Sequence, residues 1–187
     1  MNLQTTYPTT ADEFLRWNEG REGKREFVHG RVVEMMINVT RNHWRLASRL
    51  TQQLVAGLGL EDYDIGSADF GVRTPDGVRF PDVLVERSGA DGKELATSSP
   101  LLIAEILSPS TMADDFGPKA ADYLSLASLR HYLVLAQDEV RAWVWSRGDD
   151  GAWTGPDMVD ASQTTLDLGR LGISLNLADL YAGIARH

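Results

Sequence analysis

Three ionisable side chains stand where the local pattern calls for an apolar one. Asp82 lies in "FPDVLVE" and Glu105 in "LLIAEILSPS", and both segments read as buried β-strands. Lys119 lies in "DFGPKAADYLSLAS", which reads as a helix with Pro118 in its first turn. Side chains alternate along a strand, so Glu105 shares a face with Leu101, Ile103 and Leu107, and Asp82 with Phe80 and Leu84. Phe116, Lys119, Tyr123 and Leu126 recur at helical spacing, which puts the lysine in the stripe facing the core. Burying an ionised carboxylate without compensation costs several kcal/mol, so each acid needs a partner. The helix follows the Glu105 strand directly and can lie back across it, bringing Asp82, Glu105 and Lys119 to one end of a sheet.

Two arrangements satisfy these charges. In the first, paired carboxylates on adjacent strands hold Mg²⁺ or Mn²⁺, cations that prefer oxygen ligands. Such a cation acidifies a bound water and polarises a phosphoryl oxygen, while the lysine orients the water or stabilises developing negative charge. In the second, Lys119 and Glu105 form an internal salt bridge and Asp82 ends a strand in solvent. Three coincident placements favour the first, because buried charges of this kind gather at active sites.

The elements that must position these residues follow from periodicity and punctuation. "TADEFLRWNEG" opens a helix, with Thr10 and Glu13 spaced as a capping box. "REFVHGRVVEMM" alternates around His29-Gly30 and predicts a β-hairpin. "NHWRLASRLTQQLVAGLG" predicts an amphipathic helix with Trp44, Ala47, Leu50, Leu54 and Leu58 inward. "YDIGSADFGVRT" and "VRFPDVLVE" predict two strands joined at "PDG". "LLIAEILS", apolar on both faces, belongs at the centre of a covered sheet. "HYLVLA", "EVRAWVWSRG" and "AWTGPDMV" predict further strands, and "LADLYAGIA" a closing helix. The sum is an α/β domain over residues 1–187, a mixed central sheet flanked by helices.

The chain has 187 residues, 43% hydrophobic and 24% charged, with no cysteine, which excludes disulfides and thiolate metal sites. No signal peptide opens it, and no apolar run approaches the ~18 residues of a membrane helix, so a soluble, cytoplasmic protein is expected. The net charge of −9 counts against a non-specific nucleic-acid binder but not against a metal-dependent nuclease, whose cations offset local carboxylates.

"REFVHGRVVEM", His43 in the next helix, "RFPDVLVE", "LLIAEILSPST", "DDFGPKAADY" and "HYLVLA" occur in an order that resembles the Uma-two family of restriction-endonuclease-like proteins. That family is a bacterial branch of the PD-(D/E)XK nuclease superfamily. The resemblance runs from about Thr10 to the closing helix. It implies a restriction-endonuclease-like core and a divalent-metal-dependent endonuclease acting on DNA. It implies Asp82 and Glu105 as metal ligands, with the main-chain carbonyl of Ile106 as a third. Glu26 matches the family's N-terminal glutamate, which points at the metal site. The superfamily lysine two residues after the glutamate is Leu107 here, and Lys119 matches the helical lysine of this branch. His29 replaces the usual Asp before Gly30, a turn substitution.

Other residues have plainer expectations. His43 packs or caps near the second helix, with contact to a scissile phosphate as the alternative. Asp115 caps its helix or pairs with Lys119. Trp143 and Trp145 share a strand face and either pack or stack on bases. "RAWVWS" as exposed aromatic surface near a sheet edge would suit a homodimer, which a double-strand cut requires. Arg41, Arg45, Arg49, Arg73, Arg79 and Lys93 are the candidates for a basic strip beside the acids. Two rival functions remain: a non-catalytic binding or assembly module on the same fold, and a metal hydrolase acting on another phosphate ester.

Overall fold

The computed structural model describes residues 7–35, 38–108 and 112–184. The elements run α1 (Ala11–Asn18), β1 (Lys24–Val28), β2 (Arg31–Met35), α2 (Arg41–Leu58), β3 (Tyr63–Ser67), β4 (Gly71–Thr74) and β5 (Gly77–Arg79). They continue as β6 (Val83–Arg87), β7 (Ala96–Thr97), β8 (Leu102–Ile106), α3 (Met112–Asp115), α4 (Pro118–Leu124), β9 (His131–Leu135) and β10 (Arg141–Arg147). The chain closes with β11 (Trp153–Asp160), β12 (Thr165–Leu168), β13 (Ile173–Asn176) and α5 (Leu177–Leu180).

A six-stranded sheet in the order β11-β10-β9-β8-β6-β3 forms the centre. Only β8 and β9 pair in parallel, which makes the sheet mixed. All five residues of β8 are buried, as its two apolar faces require. Leu102, Ala104 and Ile106 face Leu46, Leu50 and Leu54 of α2, with β12, β13 and α5 completing that layer. Ile103 and Leu107 face Ala120 and Tyr123 of α4. A second sheet, β2-β1-β5-β4-β7, carries α1 through Phe14, Phe27 and Val78.

Two predicted strands are broken in two. "VRFPDVLVE" divides into β5 and β6, which belong to different sheets. Pro81 sits at the break, where its missing N–H ends the ladder and leaves Asp82 just ahead of β6 rather than within a strand. "YDIGSADFGVRT" divides into β3 and β4 at Ala68 and Asp69, both at positive φ. The β4–β5 turn must bring β5 against β1, and a Cβ on Gly77 would lie 1.7 Å from the Phe27 carbonyl oxygen. His29 has φ 49° at the tip of the β1–β2 hairpin. Histidine and aspartate both tolerate that region better than most residues, consistent with a plain turn substitution.

The inward face of α2 is rotated from expectation. His43, Leu46, Leu50 and Leu54 are buried, while Trp44 is 62% exposed. Trp143 and Trp145 pack on Phe116, with ring centroids 5.0 and 5.9 Å apart, so this strand face is core and not the exposed aromatic surface expected for pairing two copies. The hairpin of β12 and β13 gave no clear signal in the sequence. The "SPST" segment, which the sequence reads as a strand-to-helix turn, falls largely on residues 109–111, outside the described residues.

Candidate active site

Strands β6 and β8 pair with Val83 opposite Ala104, so Asp82, just ahead of β6, comes beside the end of β8. The Ile106 N–H donates to Asp82 Oδ2 at 2.8 Å. This bond exists because the Leu107 N–H turns the other way, to Leu135 of β9, leaving the polar groups of Ile106 on the Asp82 side. His43 Nε2 lies 3.0 Å from the same Oδ2. His43 reaches it from the first turn of α2, whose cap Thr40 accepts the His43 N–H at 3.1 Å. Thr40 in turn bonds Gln137, whose amide donates to the Leu107 carbonyl at 2.7 Å. The N-terminus of α2 is thereby tied to the end of β8.

Glu105 projects from the opposite face of β8, toward α4. Its Oε1 accepts from the Tyr123 hydroxyl at 3.0 Å and from Lys119 Nζ at 3.3 Å. Lys119 Nζ also lies 3.4 Å from Asp115 Oδ1 and 3.8 Å from Glu26 Oε1. The helical stripe therefore delivers the lysine to the glutamate as the spacing predicted.

Glu26 is held from behind. Its Oε2 accepts from Arg79 Nη1 at 2.8 Å and its Oε1 from the Phe80 N–H at 3.3 Å. Arg79 also donates through Nε and Nη2 to Asp122 Oδ2, at 2.9 and 2.7 Å, and approaches Asp114 at 3.4 Å. With 3% exposure, Arg79 is a buried hub and cannot belong to a surface strip. Sequence reasoning missed it, although Glu26, Asp82 and Glu105 with one lysine already demanded a second cation.

Asp82, Glu105, Glu26, Lys119 and His43 line one cavity of about 350 Å³. None of the six residues expected to form a basic strip lines it. Arg49 bonds the Leu180 carbonyl at the end of α5 and Arg45 the Gly183 carbonyl beyond it, and Arg73 pairs with Asp12 at 2.7 Å. The basic residues at the mouth are Lys24 and Arg25 of β1. Both also line an adjoining cavity of about 300 Å³ that adds Arg21.

The ionisation states follow from burial and neighbours. Burial, reinforced by Asp82, Asp115 and Glu26 and opposed by Lys119, pushes the Glu105 carboxyl up to about 8. Burial also works to raise Asp82, but His43 and the Ile106 N–H outweigh it and hold that carboxyl below the ordinary aspartate value. Burial disfavours the Lys119 ammonium, yet Glu105, Glu26 and Asp115 outweigh it and raise its pKa above the ordinary lysine value. Lys119 is thus a fixed positive charge and not a base.

Each acid engages one oxygen and leaves the other open. Among the described residues, Asp82 Oδ1 and Glu105 Oε2 take no hydrogen bond, while Oδ2 and Oε1 are occupied. Two oxygens on one cavity suit a hard cation that completes its shell with carbonyl and water oxygen. Among the described residues no group of three or more His, Cys, Asp or Glu side chains is placed to hold a metal ion, so a side-chain cage of the structural type is not what these residues form.

Residues 11–178 match the Uma2 family, described as "Putative restriction endonuclease". The chain belongs to the Uma2 family. Two Synechocystis relatives, both carrying the name of an uncharacterized protein, are similar over nearly their whole length. The protein slr1290 is 29% identical over 179 residues, 94% of this chain and 93% of its own. The protein sll1609 is 30% identical over 158 residues, 82% of this chain and 89% of its own. In three dimensions this Uma2 chain resembles the crystal structure of a putative nuclease belonging to DUF820 from Anabaena variabilis. The TM-score is 0.73 at 16% identity, over 94% of this chain and 98% of that one. The likeness shows the nuclease-like fold expected from the sequence. Among the described residues, no helix is long and apolar enough to cross a membrane.

Proposed function

We propose that this Uma2 chain is a divalent-metal-dependent endonuclease that hydrolyses DNA phosphodiester bonds. The observation that carries the reading is the pair of open carboxylate oxygens, Asp82 Oδ1 and Glu105 Oε2, on one cavity beside a permanently charged lysine. Family membership and fold support the reaction class. Asp82, Glu105 and the Ile106 carbonyl would hold Mg²⁺ or Mn²⁺. When bound, that cation would supply an acidified water and polarise the phosphoryl oxygen.

The chain's own residues do the rest. His43 and the Ile106 N–H fix Asp82 in one rotamer, so its open oxygen keeps its aim. Lys119 offers a charge to the phosphoryl oxygens as negative charge develops there. Glu26 is a positioning residue, since its oxygens are spent on Arg79, Phe80 and Lys119. Lys24, Arg25 and Arg21, continuous across the two adjoining cavities, supply a local basic track for a phosphate backbone on an otherwise acidic protein.

The test is incubation with supercoiled, linear duplex and single-stranded DNA in Mn²⁺, Mg²⁺ or chelator. Cleavage should require a cation and fall by at least about a hundredfold in Asp82→Asn and in Lys119→Met. Metal-independent cutting, or equal cutting by Asp82→Asn, would defeat the proposal. Metal-stimulated release of phosphate from a small ester, with no DNA cut, would favour the rival hydrolase.

A further inference from the structure

The segment that leaves α1 and enters β1 walls the adjoining cavity of about 300 Å³, which shares Lys24, Arg25 and Phe80 with the candidate active site. Phe80 stands two residues ahead of Asp82 and forms a wall of both cavities. The volume is at the small end of ligand pockets, room for one flat ring system and not for a duplex.

The walls are of three kinds. Leu15, Phe80 and Leu95 are apolar, and Phe80 is braced by Phe14, with ring centroids 6.4 Å apart. Arg21, Lys24 and Arg25 are basic, set against the acids Glu19 and Asp69, with which they form no salt bridge among the described residues. Arg21 lies 4.2 Å over the Trp17 ring and donates to the Trp17 carbonyl, and Arg25 approaches the exposed Glu34 at 3.8 Å. The Lys24 side chain makes no hydrogen bond and no salt bridge among the described residues, so its charge is unspent between the two cavities.

The third kind is the amide of Asn18, the last residue of α1. Its Oδ1 is shut off from water and accepts no hydrogen bond among the described residues. An orphaned buried acceptor lowers stability, and a native structure that keeps one calls for an explanation. A side-chain amide presents a donor and an acceptor side by side. The edge of a nucleobase presents the complement, and adenine, through N6 and N7, matches an asparagine best. Apolar walls for the faces of a ring, an amide for its edge and a free ammonium for the attached phosphate are the contacts a nucleotide needs. A base stacked in a duplex has both faces covered and cannot enter such a pocket.

We infer that this pocket takes one unpaired nucleobase, adenine by preference, beside the phosphate at the candidate active site. The inference rests on the proposed nuclease reaction and narrows its substrate to single-stranded or locally opened DNA. Asn18 is the specificity-determining residue, Phe80 the stacking wall and Lys24 the contact for the connecting phosphate.

Fluorescence anisotropy of the full chain with labelled oligo-dA, oligo-dC, an abasic strand and the dA·dT duplex, all of equal length, tests this. The titrations are made in chelator at one salt concentration. Oligo-dA should bind about tenfold more tightly than the abasic strand or the duplex. Asn18→Leu, close in size but without a polar group, should erase that advantage without lowering Tm. Asn18→Asp, an acceptor only, should transfer the preference to oligo-dC, whose N4 amine donates. A merely structural Asn18 would instead lower Tm in the leucine variant and leave the order of the strands unchanged. Equal binding of oligo-dA and the abasic strand, an equally tight duplex, or an unchanged order in both Asn18 variants would overturn the inference. A base preference in chelator with no cleavage of any strand in Mn²⁺ would uphold the pocket and count against the proposed reaction. Cleavage in Mn²⁺ with no base preference would uphold the reaction and sink the pocket.

Discussion

Without metal, the protein should lose stability as pH rises through neutrality, and Glu105 should be the cause. Its carboxyl is pushed from 4.5 to about 8 in the folded chain. Between those values the folded protein keeps a proton that the unfolded chain has released, so the stabilisation is complete below 4.5 and is lost as pH climbs to about 8. At about 1.4 kcal/mol per pH unit the whole gap sets a ceiling of about 5 kcal/mol. Lys119 at 3.3 Å and water from the cavity soften the cost of ionisation, so about half that ceiling is the working figure. For a chain of 187 residues this lowers Tm by about 5–10 °C. Glu105→Gln keeps an acceptor for Tyr123 but cannot titrate. The quantity to follow by calorimetry is therefore the Tm of wild type minus that of the variant, from pH 5 to 9 in chelator. It should decrease steadily with pH, and Mn²⁺ should reverse the decrease at pH 8 by stabilising the ionised, folded form. A difference that stays flat would mean that Glu105 is ionised throughout and simply salt-bridged to Lys119. Absence of any Mn²⁺ effect on wild type would remove the cation from the argument.

Arg79→Met should cost about 3–5 kcal/mol in urea unfolding, because Glu26 and Asp122 lose a buried counter-charge. Adding Asp122→Asn should recover part of that loss, and strict additivity would show that the two do not interact. His131 is held down to about 4, chiefly by burial, with Arg170 adding to the effect and Asp167 opposing it. Its depressed pKa means stability present above 6.5 and lost as pH falls toward 4, so His131→Gln should flatten the acid limb of a Tm–pH curve. Replacing Lys24 and Arg25 by alanine should weaken DNA binding in chelator and reduce the slope of log affinity against log salt by about 1 for each phosphate these side chains neutralise. An unchanged slope would place the DNA elsewhere.

The sequence was most informative where one physical rule acted alone. Alternation put Glu105 on the α4 face of β8, and helical spacing put Lys119 over it, because both residues lie inside regular elements. It was less informative where two rules competed. Pro81 ends one strand and Asp82 precedes the next, so alternation from Leu84 does not describe Asp82, whose carboxylate instead turns to the Ile106 N–H and His43. Trp44 looked like an anchor of α2 because it is the most apolar residue of the first turn. The face is in fact set by Leu46, Leu50 and Leu54, and extending that stripe backward lands on His43. Arg79 was misread because a basic residue in "GVRFPD" resembles surface charge until the tertiary fold brings Glu26 and Asp122 to it.

The placement of the lysine also shows what kind of site this is. Leu107, two residues beyond Glu105, lies on the same face of the chain and is 5% exposed in the core against α4. A lysine there would belong to the same strand as the glutamate, and its distance would be fixed by strand geometry alone. Lys119 belongs to α4 instead, so its distance from Glu105 is set by how the helix docks. That docking is governed by Ala120 and Tyr123 against Ile103 and Tyr132, and by the Tyr132 hydroxyl donating to the Asp115 carbonyl at 2.8 Å. The ion pairs to Asp115 and Glu26 then hold the ammonium from two further sides. Five carboxylates, Glu26, Glu105, Asp114, Asp115 and Asp122, thus engage two cations, Lys119 and Arg79, while Asp82 pairs with His43. A purely structural salt-bridge cluster has no reason to carry that excess, since each unmatched buried carboxylate lowers stability. Glu26, Asp82 and Glu105 bring part of that excess to one cavity, and once Glu105 ionises this is the electrostatic condition for attracting a divalent cation.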